Sequence, residues 1–169
     1  AMIPNCAATR HLHFTLDGRG PAKLDPPDLA RWPKGDWAPS AESRRVNLDT
    51  LTPAEVASWK PGDRLLLNGK MLTGRDAAHK RIQDMLAKGE KLPVDFTNRV
   101  IYYVDPVDPV RDEVVGPAGP TTATRMDKFT DMMLDKTGLL GMVGKAERGE
   151  ETIASIKKHH SVYLIAVGG

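Results

Sequence analysis

Three cationic side chains occupy the same kind of position in the chain. Arg75 follows an apolar run at 64–72, Lys145 follows another at 139–143, and Arg125 lies just inside a helical pattern that begins near Thr122. In open α/β sheets, ligands bind outside the carboxyl ends of the strands. Helix N-termini at that edge add unpaired N–H groups and the positive end of the dipole. Two guanidiniums and an ammonium gathered there would suit a small ligand with two negative groups. Arginine grips a planar carboxylate through two parallel hydrogen bonds, and lysine serves as a point charge. The same residues also fit a plainer role, since most arginines and lysines are solvated surface groups.

The segment Gly119-Pro120-Thr121-Thr122 leads into Arg125. Thr121 and Arg125 are one helical turn apart, so a helix starting by Thr121 would stack hydroxyl and guanidinium on one face. Thr121, Thr122 and Thr124 could each cap that helix, and helix initiation alone is the plainer reading of all three. Cys6 is the only cysteine. It leaves no internal disulfide, and one thiolate cannot hold a metal cluster without ligands from outside the chain. An inert thiol is the alternative. His11 and His13 share a face by period two, and without a nearby third ligand a hydrogen-bonding role suits them better than a metal. No P-loop, G-x-S-x-G or zinc spacing is present.

The elements that must position these groups alternate. Residues 1–43 read as an irregular, Pro-rich arm or linker carrying the Cys6 segment, and 44–169 as the folded domain. RRVNL is a short strand, and Thr52-Pro53-Ala54-Glu55 is a capping box with proline at the first helical position. RLLLNGKML at 64–72 reads as one strand. Thr73 as N-cap with Asp76 at N3 opens a helix that runs to Lys88, carries Ala78, Ile82, Met85 and Leu86 on its inner face, and ends at Gly89. RVIYYV is a buried strand, and a long Pro/Gly loop follows it. A helix over 122–135 turns Met126, Phe129, Met132 and Met133 inward. LLGMV is a strand, 151–159 a helix with Ile153 and Ile156 inward, and SVYLIAV a final strand. This order predicts an α/β fold with a mixed, at least partly parallel sheet and flanking helices.

The composition excludes several classes. A net charge of +2 with no basic stripe argues against nucleic acid. No apolar run approaches the roughly 20 residues of a membrane span. The start AMIPNCAATR has neither the basic nor the apolar region of a signal peptide, so a cytoplasmic protein is expected. The apparently functional opening and the end on a strand followed by Gly-Gly suggest a fragment of a longer polypeptide.

PNCAATRHLHFTLDG, LNGKMLTGRDAAHKRI, EVVGPAGPTTATRMDKFTDMML, GKAERG and KKHHSVYLIAVGG together resemble the C-terminal part of class I fumarate hydratases, the iron–sulfur enzymes, over Ile3 to Gly169. The tartrate dehydratase beta subunit shares the same core. The resemblance implies a swivelling β/β/α domain, an active site shared with an N-terminal cluster-binding domain, and a homodimer. It also implies a four-iron four-sulfur cluster with Cys6 as one of three cysteine ligands, the other two lying outside this chain. Arg75, Arg125 and Lys145 match residues that hold the carboxylates of fumarate or malate, with Thr122 beside them, and Thr121 matches the proposed catalytic base. The implied location is cytoplasmic, or mitochondrial in a eukaryote. Two departures stand out: Asp105 occupies a place where the family often has glycine, and the family continues beyond Gly169, so the C-terminal subdomain is expected to be incomplete.

Overall fold

The computed structural model describes residues 18–19, 38–109, 112, 114–116 and 118–166. Cys6, His11 and His13 lie outside the described residues, as does most of the expected arm.

Chain order is β1 (Arg44–Asn47), α1 (Pro53–Ala57), β2 (Leu65–Asn68), β3 (Leu72–Thr73), α2 (Asp76–Ala87), β4 (Val100–Tyr102), a 3-10 turn (Ala123–Met126), α3 (Asp127–Thr137), β5 (Gly141–Gly144), α4 (Glu150–Lys158) and β6 (Val162–Ile165). β1 and β2 form one parallel pair, and β3-β4-β5-β6 form a four-stranded sheet in that spatial order. The expected α/β class with flanking helices is found. Every strand pairing among the described residues is parallel, where a mixture of directions was expected. The connections explain this: each neighbouring pair is joined by a crossover through a helix or a long loop, not by a tight hairpin.

Alternation along the strands divides the core in two. Ile101 and Met142 face one way and pack with Ile82 of α2 and Phe129 and Met133 of α3. Val100 and Val143 face the other way and pack with Val46 of β1, Val56 of α1 and Leu140. Helices therefore cover one face of the four-stranded sheet, and the β1–β2 unit with α1 covers the other. Strands buried on both faces read as continuous apolar runs, as they do here.

The run 64–72 is two strands rather than one. Gly69 turns the chain with φ +101°, a conformation that side chains disfavour, and Asp49 Oδ1 accepts from the Lys70 N–H at 3.1 Å. β2 thus pairs with β1, and β3 pairs with β4. α2 also starts later than expected. Thr73 is committed to β3 opposite Tyr102, so Arg75 takes the N-cap position and Asp76 the first helical position. The Thr52 cap is as expected: its hydroxyl accepts from Glu55 N–H at 3.2 Å. On α4, Ile153 is exposed and Thr152 and Ser155 are buried instead, because Ser155 donates to Asp131 of α3 at 2.7 Å and turns that face inward.

Candidate functional site at the carboxyl edge of the sheet

The site is built where three strands end. After Thr73, Gly74 N–H donates to the Tyr102 carbonyl at 3.1 Å, which extends the β3–β4 ladder by one bond and places Arg75 at its edge. β4 continues through buried Tyr103 and Val104, and Tyr103 N–H donates to the Val143 carbonyl at 2.9 Å. Asp105 follows at the surface.

The Thr121 segment returns to this edge. Thr121 N–H donates to the Tyr103 carbonyl at 3.0 Å, and Ala123 N–H to the Lys145 carbonyl at 3.0 Å. Thr122 and Lys145 form an isolated parallel bridge. Gly144 permits this approach: a Cβ there would stand 2.9 Å from Ala123 Cβ, 3.0 Å from the Tyr103 ring and 3.1 Å from the Tyr163 hydroxyl.

The side chains then meet as follows. Arg75 Nη1 pairs with Asp105 Oδ2 at 2.9 Å, and Arg75 Nη2 donates to Thr121 Oγ1 at 3.5 Å. Arg125 Nη2 pairs with Asp76 Oδ2 at 2.8 Å. A depression of about 510 Å³ is lined by residues 73–78 and by Asp105. Of the expected residues, only Arg75 lines that depression. Thr121 is joined to it through Arg75, and Arg125 through Asp76. Thr122 and Lys145 are joined to each other by backbone, and the Lys145 ammonium has no ion-pair partner among the described residues.

The expected stacking of Thr121 on Arg125 is not what forms. Thr121 precedes the helix and bonds to the β4 extension, while Arg125 lies in a 3-10 turn that runs into α3. Thr121 is half-buried and Thr122 exposed. The guanidinium of Arg75 therefore reaches one of the two threonines that the sequence left open.

Two further residues support this edge. His79, one turn after Arg75, is buried at 1% exposure. Its Nδ1–H donates to the Arg75 carbonyl at 2.8 Å, while its Nε2 has no partner. Burial pushes its pKa below the ordinary 6.5, and its ring stands edge-on to Tyr103 at 5.5 Å. A neutral imidazole with the proton on Nδ1 fits both observations. Its spacing from Arg75 within one helix was the available signal.

Arg148 is the second. Its guanidinium is enclosed, with Nε on Asp127 Oδ1 at 2.6 Å and Nη2 on Thr130 Oγ1 at 2.6 Å. It also lies over the rings of Tyr103 and Tyr163 at 5.4 and 5.0 Å. Asp127 Oδ2 accepts from Gly149 N–H at 2.8 Å. One carboxylate thus ties the loop that follows Lys145 to the start of the helix that follows Arg125.

No group of three or more possible metal ligands occurs among the described residues, and no helix there is long and apolar enough to cross a membrane.

The chain has relatives among known proteins. The family described as Fumarase C-terminus matches residues 18–169. The chain is 30% identical over 179 residues to the aerobic class I fumarate hydratase of Escherichia coli K12, covering 98% of this chain and 31% of that protein. It is 36% identical over 134 residues to a putative class I fumarate hydratase of Geobacillus stearothermophilus, covering 76% of this chain and 25% of that one. It is 38% identical over 121 residues to a putative L(+)-tartrate dehydratase subunit beta of Methanocaldococcus jannaschii, covering 70% of this chain and 62% of the subunit. The chain spans between a fifth and a third of the length of the fumarate hydratases it matches.

Proposed function

The chain belongs to the Fumarase C-terminus family, and on that premise we propose that it is the substrate-clasping domain of a class I fumarate hydratase. The reaction is the reversible trans addition of water to fumarate, giving (S)-malate. The observation that carries this reading is the convergence at one sheet edge of Arg75 on Thr121 and of Thr122 on Lys145. Arg75, Arg125 and Lys145 would hold the two carboxylates, with Thr122 lining the same edge. Thr121 would take the proton from the carbon beside a carboxylate. Threonine is a weak base in water, and a guanidinium donating to its Oγ1 favours the charged form it must pass through. Proton removal there builds extra negative charge on the carboxylate, and fixed cations stabilise that charge more than they stabilise the ground state.

The family resemblance adds a four-iron four-sulfur cluster. Such a cluster needs several thiolates. This chain has one cysteine, and its described residues hold no alternative ligand group. The chain alone therefore does not fit a complete cluster, and Cys6 would be one ligand beside others from an N-terminal domain. When bound, the cluster would supply a Lewis acid for the hydroxyl that arrives or leaves. A homodimer and a cytoplasmic enzyme, mitochondrial in a eukaryote, complete the proposal.

The second reading is a domain of another hydroxy-diacid dehydratase. Its support is the greater share of the tartrate dehydratase subunit that the chain covers, 62%. The test joins this chain to the cluster-binding domain of its parent. Turnover is expected only in the joined protein, and Arg125→Ala should remove most of it with the circular dichroism spectrum unchanged. Unaltered kinetics in that variant would overturn the site assignment. Faster turnover of tartrate than of malate would favour the second reading. Retention of both iron and activity by Cys6→Ser would point instead to a non-catalytic anion-binding or subunit-interaction module.

A further inference from the structure

The two arginines of the clasp each face a carboxylate of this same chain, and the two carboxylates are not alike. Asp76 opens α2, where an acidic residue is stabilised by the helix dipole whether or not Arg125 is near. Asp105 has no such structural role. It lies beyond β4 with its side chain 71% exposed, and Arg75 is its one hydrogen-bonded partner among the described residues. The guanidinium it holds also reaches Thr121 through Nη2. Asp105 thus stands on the Nη1 side of the guanidinium that an incoming carboxylate would need for a two-bond grip.

Building on the function proposed above, we propose that Asp105 is a specificity-determining residue that occupies Arg75 in place of one ligand carboxylate and sets how strongly the site prefers a diacid to a monoacid. A diacid reaching Arg75 must exchange its own carboxylate for that of Asp105, so it gains only the difference between two similar contacts. A monoacid held by Lys145 or Arg125 leaves the Arg75–Asp105 pair in place. Because the pair is solvent-exposed, the exchange is easy and its effect is a modest tuning of affinity. Asp105 therefore weakens the hold on a dianion and eases its release.

The test compares the full 169-residue chain with its Asp105→Asn variant at one ionic strength, using two readouts. The first needs no ligand: the rate at which phenylglyoxal labels Arg75, mapped by peptide mass spectrometry. Labelling several-fold faster in the variant is expected, because the shielding carboxylate is gone. The second is the Kd for fumarate and for crotonate, which replaces one carboxylate by a methyl group, each from NMR shift titration. The variant should bind fumarate about two- to fivefold more tightly, with a smaller change for crotonate. Equal labelling of Arg75 in the two proteins overturns the role of Asp105 alone. Equal tightening of both acids overturns its role in selectivity. Faster labelling with no diacid bound by either protein overturns the selectivity role of Asp105, whereas the proposed function stands or falls on turnover of the joined protein.

Discussion

Two of the three arginine–aspartate pairs described at this end of the molecule have opposite consequences. Arg148 and Asp127 form a pair at 2.6 Å in which the arginine side chain is 1% exposed. Arg75 and Asp105 form a pair at 2.9 Å in which the side chains are 32% and 71% exposed. The first has every direction occupied: Thr130, the Met142 sulfur at 3.8 Å, two tyrosine rings and, through Asp127, a backbone N–H. The second has one carboxylate, one hydroxyl and open solvent. A desolvated charge without its partner is costly, whereas an exposed pair exchanges partners for little. One chemistry thus locks the loop that follows Lys145 in place, and the same chemistry leaves Arg75 available.

The largest expected effect lies on the locked side. Arg148→Met leaves Asp127 half-satisfied beside a gap between two tyrosines, and removing one partner of a buried pair costs about 3–5 kcal/mol. Chemical denaturation of the variant checks this, and a loss below about 1 kcal/mol would erase the distinction between the two pairs.

His79, which lies beneath the exchangeable pair, provides a smaller and pH-dependent effect. Its folded pKa lies below the ordinary 6.5, so below that pH the unfolded chain binds more protons than the folded one. Stability is therefore intact above about pH 6.5 and falls as the pH drops toward the folded value, by at most about 1.4 kcal/mol per pH unit for one proton. Thermal melts between pH 7.5 and 5 should show this decline in the native chain, reduced in His79→Gln. An identical decline in both would remove His79 as its source.

The smallest effect on stability is expected on the exchangeable side. Arg75→Gln should change stability by less than about 1 kcal/mol, because an exposed pair contributes little. Diacid binding should nevertheless be lost, as read by the same denaturation curves and by shift titration. A variant as unstable as Arg148→Met would show that Arg75 is structural. Raising the salt concentration should weaken the Arg75–Asp105 contact and leave Arg148–Asp127 intact, since screening reaches exposed charges first.

Structure follows the local sequence where short-range chemistry decides. The Thr52 cap, the end of α2 at Gly89 and the inward Met126, Phe129 and Met133 follow from cap geometry and helical period. It departs from the local sequence where partners distant in the chain compete. Thr73 has the chemistry of an N-cap, but pairing with Tyr102 claims it. Ile153 has the hydropathy of a core residue, but the Ser155–Asp131 bond turns α4 the other way. Asp76 has the local chemistry of a helix-start residue, and nothing local says that it faces Arg125.

By itself, the order of residues determined the alternation of strands and helices and the placement of Arg75, Arg125 and Lys145 at or beside their ends, because periodicity and capping act within a few residues. Only the tertiary structure decided that Arg75 reaches Thr121 rather than Thr122, that Asp105 stands on that same guanidinium, and that Arg148 is sealed beneath two tyrosines. Those contacts join residues 15 to 46 positions apart, and the packing of the parallel strands that brings them together is the work of the whole core.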